Sequence, residues 1–362
     1  MDNIRSLQLN KLFHRDSVLH DNFLFKLHHQ VNFFVVLFGV LFVTGNNYLN
    51  GNSIVCLGGQ DYHKQYCWIH GSGHVPNELA AQAKCSPDQG QVSDVGNDRH
   101  THYYLWIPFV LGLCLAVIKA PRFIWKEICE RGLLKGVVGE GNEHPEKMTI
   151  RFNKLRKQKA GLYFWGYFLC EILNIVCLVV CFAILNNLFD GQFFNYGSNV
   201  VNFDKEEEDA VNPMCNLFPT EVSCSVATGG IDGNKDIINI LCILSNNLFN
   251  QYYFLVLWIW WVILLGLSAA GFVYRVAQIF SKDVSKIVLI YKLSPLGQGG
   301  RARRLEKYGQ ADYFLLGRIC QNLKGSQVEE IMTELARPST SNMNGENHIS
   351  KQKEAELNLL PL

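Results

Sequence analysis

The sequence predicts an all-α membrane protein, a four-transmembrane-helix bundle with disulfide-linked extracellular loops and a helical cytoplasmic dome. Three observations lead there. Four apolar segments are long and nearly free of charge, and a helix needs about 20 apolar residues to cross a bilayer. Lys and Arg gather on alternate sides of those segments. Six of the twelve cysteines fall in the two basic-poor loops, three in each. Charged residues are 18% of the chain, below the roughly 25% of soluble domains. A net charge of +1 gives no footprint for nucleic acid, so none is expected as a partner.

The segment 1–27 is polar and lacks the apolar core of a signal peptide. In "MDNIRSLQLNKLF", Ile4, Leu7 and Leu9 alternate with polar residues. They could anchor one face against the first span, although composition alone also suits a disordered tail. The first span is placed at 28–48. Its apolar core "VNFFVVLFGVLFV" is short, so the helix must include His28, His29 and Thr44. It is the least apolar span, with Asn32, Thr44, Asn46 and Asn47 near its ends. Such groups suit a helix that runs beside water; they also suit helix ends lying in the headgroups.

A loop at 49–102 precedes the second span, 103–125. That span carries no charge from Tyr103 to Ile118, and Lys119 is placed to snorkel. It contains Pro108, where a helix loses a hydrogen bond. In a bundle, neighbouring helices can satisfy the freed carbonyl. Pro108 can therefore be a gating hinge or a tolerated kink. A loop at 126–161 leads to the third span, 162–189, and a loop at 190–251 leads to the fourth, 252–275. A cytoplasmic helical region is expected at 276–337, where "SQVEEIMTELA" has helical apolar spacing. The tail 338–362 is polar and predicted to be disordered. Buried helices of a soluble protein are the alternative, but segments this long rarely lack charge in soluble cores.

Basic residues orient the spans. The segment 1–30 holds four, the loop 119–161 eleven, and the tail from Arg275 thirteen. The loops 49–102 and 190–251 hold three and two. Both termini and the middle loop are thus predicted to be cytoplasmic. Cys56, Cys67, Cys85, Cys215, Cys224 and Cys242 then face an oxidising space, where bridges are expected.

Within the spans, Glu171 is the informative residue. An ionised carboxylate costs about 2.5–3.5 kcal/mol at a span centre on insertion scales, so it should face a partner or water. Structural pairing is the first reading and pore lining the second. Asn174 lies on one helical stripe with Cys170, Cys177 and Cys181, read as packing residues. In the first loop, His63, Cys67, His70 and His74 have spacing that superficially suits zinc, but surface histidines are the preferred reading and no metal is expected. "KEEEDA" at 205–210 is read as a solvated face. The outer loops hold no Asn-x-Ser/Thr sequon, so N-glycosylation is not expected there. There is no Gly-rich phosphate loop, nucleophile elbow or HExxH. An enzyme is the least expected class, and no cofactor is called for.

The chain resembles the innexins, the invertebrate gap-junction family. "YYLWIPFVL" (103–111) is similar to the family's YYQW motif and its continuation, with Leu105 in place of the usual Gln. "VTGNNYLNGNSIVC" and "YCWIH" resemble the approach to its first-loop cysteines. "APRFIWKE", "LCEILN", "LFDGQFFNYGSNVVNF", "NPMCNLFPTEVSC", "LCILSNNLFNQYYFLVLWIWW" and "GQADYFLLGRICQNL" follow in the family's order. The resemblance covers about residues 21–336. It implies the pairs Cys56–Cys242 and Cys67–Cys224. Cys85 and Cys215 are extra to the pattern and are expected to bond each other. It also implies a proline at the place of Pro108, and a pore formed by the first span and the N-terminal segment, where Asp2 and Arg5 would meet permeating ions. Homo- or hetero-oligomers are implied, octameric and docked to a hemichannel of an adjacent cell, in membrane lipid. The implied function is passive passage of ions and small metabolites. The alternatives are a non-junctional large-pore channel open to the outside, or a pore-less four-span adhesion protein.

Overall fold

Hydrophobic length dictates the long helices, and short-range turn chemistry divides them. The computed structural model describes residues 22–45, 54–58, 61–70, 103–138, 145–203, 212–229 and 235–336. In chain order its main elements are α1 (Phe23–Thr44), β1 (Val55–Cys56), α2 (Asp61–His70), α3 (Tyr103–Glu130), α4 (Leu133–Val138) and α5 (Pro145–Leu188). There follow α6 (Phe193–Val201), α7 (Pro213–Leu217), β2 (Glu221–Gly229), β3 (Lys235–Ile243) and α8 (Ser245–Phe280). The last are α9 (Lys282–Leu293), α10 (Gly299–Arg303), α11 (Gln310–Cys320) and α12 (Gly325–Leu335). Four helices, α1, α3, α5 and α8, are long and apolar enough to cross a membrane. The protein is thus mostly helical with four candidate spans, the predicted class.

The helices outrun their apolar runs. α5 has 44 residues, about 66 Å at 1.5 Å per residue, against a hydrocarbon layer of about 30 Å. Its first turns carry Lys154, Arg156 and Lys157 and remain helical. α5 stops where Asp190 and Gly191 adopt left-handed backbone, φ 50° and 83°, a conformation glycine takes without a Cβ penalty. α8 stops where Ser281 turns extended, and the Ser281 hydroxyl accepts the Val284 N–H to cap α9. Two turns are widened to i→i+5 bonding, Leu27–Val31 in α1 and Trp125–Glu130 in α3. α3 is continuous through both Pro108 and Pro121.

A three-stranded antiparallel sheet, ordered β1-β3-β2, joins the two loops that hold the bridges. Cys56 stands opposite Cys242, and Cys224 opposite Ile240. The sequence reading placed no strands there. The signal was present: "EVSCSVATG" and "KDIINILCI" are rich in β-branched residues and flank a Gly/Asp-rich stretch.

The chain divides into two compact units. One comprises Leu24–Pro121 and Leu173–Ala269. Its core is aromatic: Phe189 meets Tyr103, Phe218 and Phe254 at ring distances of 5.5, 5.1 and 5.1 Å. Such edge-on pairs add to area burial. The other comprises Met1–Phe23, Arg122–Ile172 and Ala270–Leu362. Here Trp125 packs edge-on against Tyr163 and Tyr167 at 5.0 and 4.9 Å. Leu289, Leu315, Leu316, Ile331 and Met332 are buried in the same unit.

Candidate functional site

In the first unit, the bridged loops are clamped to the starts of α3 and α8. Cys56 bonds Cys242 across adjacent strands, and Cys67 of α2 bonds Cys224 of β2. The bonds span 186 and 157 residues of sequence. Cys215 is also held in a disulfide, while Cys85 lies outside the described residues. The Tyr104 hydroxyl donates toward the carbonyls of Cys67 and Trp68, each at 3.3 Å, and its ring lies 4.6 Å from that of Trp68. Asn247 donates to the Tyr103 hydroxyl at 2.8 Å and to the Pro219 carbonyl at 2.6 Å. Gln251 donates to the Phe218 carbonyl, and the Tyr196 hydroxyl donates to the Gln251 carbonyl. Burial, and then the neighbouring Tyr252, raise the Tyr196 pKa, so its phenol stays a donor. The tyrosine pair opening α3 therefore fixes the disulfide loops. The sulfurs of Cys56, Cys67 and Cys242 lie close together, but all three are bonded in disulfides and offer no thiolate to a metal. His63 and His70 lie on α2, and His74 lies outside the described residues.

α1 packs on α8 through polar contacts inside an apolar interface. Asn32, expected on a pore wall, is instead 1% exposed in this unit. Its side-chain oxygen accepts from the indoles of Trp260 and Trp261, at 3.1 and 2.9 Å. An amide in an apolar interior must find such partners, and two indole donors supply them. His28 Nε2 lies 2.7 Å from the Ser268 hydroxyl, which itself donates to the Leu264 carbonyl, so the imidazole is the donor. Lys119 donates to the His29 carbonyl at 2.8 Å, in the widened turn, with Phe33 beneath its ammonium at 3.9 Å. Gly39 sits so close to α8 that an added Cβ would lie 2.1 Å from the Tyr253 hydroxyl oxygen. That hydroxyl donates to the Val35 carbonyl. The opposite face of α1 is open and apolar: Val31, Phe34, Phe38 and Leu41 are exposed. Pro108 is buried and Leu105 partly buried against the core. Asn174 is also buried in this unit.

Glu171 belongs to the other unit. Its two oxygens accept from Arg275 Nη2 at 2.7 Å and Nε at 2.8 Å, a bidentate pair. Asn22 donates to the same carboxylate at 3.3 Å. Arg275 also donates to Gln278, and Gln278 to the Tyr274 hydroxyl. The carboxylate inside α5 thus has a cation on α8. Sequence reasoning named Glu171 but missed Arg275, Gly39 and Tyr253. Arg275 had been counted among the tail's basic residues, one position past the last apolar run. Asp2 and Arg5 lie outside the described residues.

Comparison with known proteins places this geometry. The sequence model of the family described as Innexin matches residues 21–338. Innexin inx2 of Schistocerca americana is 28% identical over 340 residues, 89% of this chain and 94% of that protein. Innexin inx2 of Drosophila melanogaster is 26% identical over 359 residues, 93% of this chain and 95% of that protein. Innexin shaking-B of Drosophila melanogaster is 25% identical over 335 residues, covering 87% and 89%. With the family matched over nearly the whole chain, four candidate spans and loops tied by disulfides, the chain belongs to the innexin family.

Proposed function

We propose that this chain is a gap-junction and hemichannel subunit that forms a large pore for passive passage of ions and small metabolites between adjacent cells. The observation that carries the reading is the innexin match over residues 21–338, joined to a disulfide-tied sheet that gives both loops one fixed surface. Such a surface suits rigid docking of one hemichannel on another. The bridges belong to an oxidising compartment, and the basic-rich segments to the cytoplasm. The sheet therefore faces outward in the plasma membrane, and both termini face inward. Subunits assemble as octamers, homomeric or with other innexins. The Cys85–Cys215 bond completes the loop framework.

The pore wall is formed by the N-terminal segment, with Asp2 and Arg5 near its mouth, and by the open face of α1. Asn32 contributes by fixing how α1 is rotated against α8. Pro108 acts as a hinge in α3. No reaction is catalysed. Paired cells expressing the chain should show junctional conductance, and single cells should show hemichannel current. Current in single cells with none between pairs would favour a non-junctional channel. Cell adhesion with neither current would favour a pore-less protein.

A further inference from the structure

Among the described residues of the unit that holds α9 and α11, one cluster of cations outnumbers the groups that answer it. Arg275 is matched by Glu171 and Gln278. Arg318 of α11 is only 1% exposed, yet it reaches no carboxylate among the described residues. Its guanidinium lies over the rings of Tyr167 and Phe314, at 4.6 and 5.2 Å. Arg275 lies over the same two rings, at 5.6 and 4.8 Å. Two guanidiniums thus share one pair of aromatic faces. Arg318 Nη1 makes a long contact of 3.5 Å to Gln321, while its Nε and Nη2 have no hydrogen-bond partner. Buried donors are nearly always matched in folded proteins, and an unmatched one marks an unseen water or ion.

A third cation adjoins them. Lys292 of α9 lies beside Gly317, where an added Cβ would meet the lysine Cδ at 3.9 Å. It makes no ion pair among the described residues. Burial, then Arg318 and Arg275, lower its pKa to about 8, with Glu171 acting the other way. Glu130 is a buried carboxylate near Tyr163. It already accepts the backbone N–H groups of Gly132 and Leu134, at 2.8 and 2.9 Å. Among the described residues, these three cations are answered by the carboxylate of Glu171. A narrow cleft lined by Gln278, Ser285, Val288, Lys292, Phe314 and Gly317 opens at Lys292, next to the Phe314 ring that Arg318 covers, and admits a water-sized group.

We propose that Lys292, with the buried Arg318 behind the Phe314 ring, forms an anion site that takes a phosphate group at the mouth of this cleft, with one phosphate oxygen entering it. A guanidinium fork beside a point-charge ammonium suits a tetrahedral oxyanion. The phosphate could be carried by a lipid headgroup or by a soluble molecule. The site stands whether or not the chain forms a pore.

The test uses the full-length protein and reads the midpoint of thermal unfolding. One arm titrates inorganic phosphate in detergent at constant ionic strength set with chloride. The other compares nanodiscs of phosphatidylcholine alone with nanodiscs that also contain phosphatidic acid. The wild type should show a saturable upward shift in at least one arm. Lys292→Gln should lose that shift, and Lys324→Gln, at an exposed cation, should keep it. Lys292→Gln removes only a partly exposed, unpaired charge, so it should fold even where Arg318→Gln does not. A shift with inorganic phosphate points to a soluble ligand, and a shift confined to phosphatidic acid points to a headgroup. No shift in either arm, or a shift that survives in Lys292→Gln, overturns the proposal.

Discussion

Replacing Glu171 by Gln should be among the most damaging single changes in its unit. Arg275 is 4% exposed, and both of its bonds to Glu171 are short, 2.7 and 2.8 Å. Glu171→Gln keeps the shape but removes the charge, leaving a buried guanidinium with only Gln278 and aromatic faces. Breaking a buried pair from one side costs about 3–5 kcal/mol. At about 2–4 °C per kcal/mol for a unit of 150–250 residues, the midpoint should fall by roughly 6–20 °C. Arg275→Met should cost less, because the Glu171 side chain is 23% exposed and can hydrate. The double variant Glu171→Leu with Arg275→Met should recover most of the loss, since an apolar replacement of both partners is often near neutral. The assay is loss of the oligomer peak in size-exclusion chromatography after heating, at one heating time because unfolding is irreversible. A double variant as unstable as the sum of the two singles would show that the pair is not coupled, and the reasoning would fail.

Other expectations follow from single contacts. Gly39→Ala should destabilise the α1–α8 contact by about 1–3 kcal/mol, as overpacking does, because its Cβ would lie 2.1 Å from the Tyr253 hydroxyl oxygen and 2.2 Å from its Cζ; adding Tyr253→Leu, which removes the ring, should rescue part of the loss in the same heating assay. Lys292 has a folded pKa of about 8 against 10.5 in the unfolded chain, so the unfolded state binds more protons between those values. Its burial penalty is full below pH 8 and fades toward pH 10.5; in phosphate-free buffer Lys292→Gln should be more stable than wild type near pH 7, with the gap closing as pH rises. Non-reducing peptide mapping should recover Cys85 joined to Cys215, and bridges only within each loop would refute the loop framework. Pro108→Ala should traffic normally but change open probability, since it restores a backbone donor in α3; unchanged gating would make the proline a tolerated kink.

The sequence reading was strongest where hydrophobic length decides structure. The four apolar runs placed α1, α3, α5 and α8 because no soluble environment suits them. It was weaker at helix ends. The start of α5 carries Lys154, Arg156 and Lys157 and has no apolar run to mark it. The strands β2 and β3 escaped because the loops were read only for their cysteines. Glu171 stood out as a charge inside a span, but its partner sits 104 residues away on another helix. Asn32 shows the limit of local reasoning. A polar residue in a span needs either water or donors, and the donors, Trp260 and Trp261, lie 228 and 229 residues further along. Gly39 carried no signal either, since its smallness matters only against Tyr253.

The central claim is that these chains assemble around a conducting pore, and single-channel recording of the purified protein in planar bilayers tests it most directly. The account predicts discrete, large-conductance openings, altered by deletion of residues 2–10, the segment proposed to form the pore mouth. Bilayers that stay silent despite demonstrated insertion of folded, oligomeric protein would contradict it.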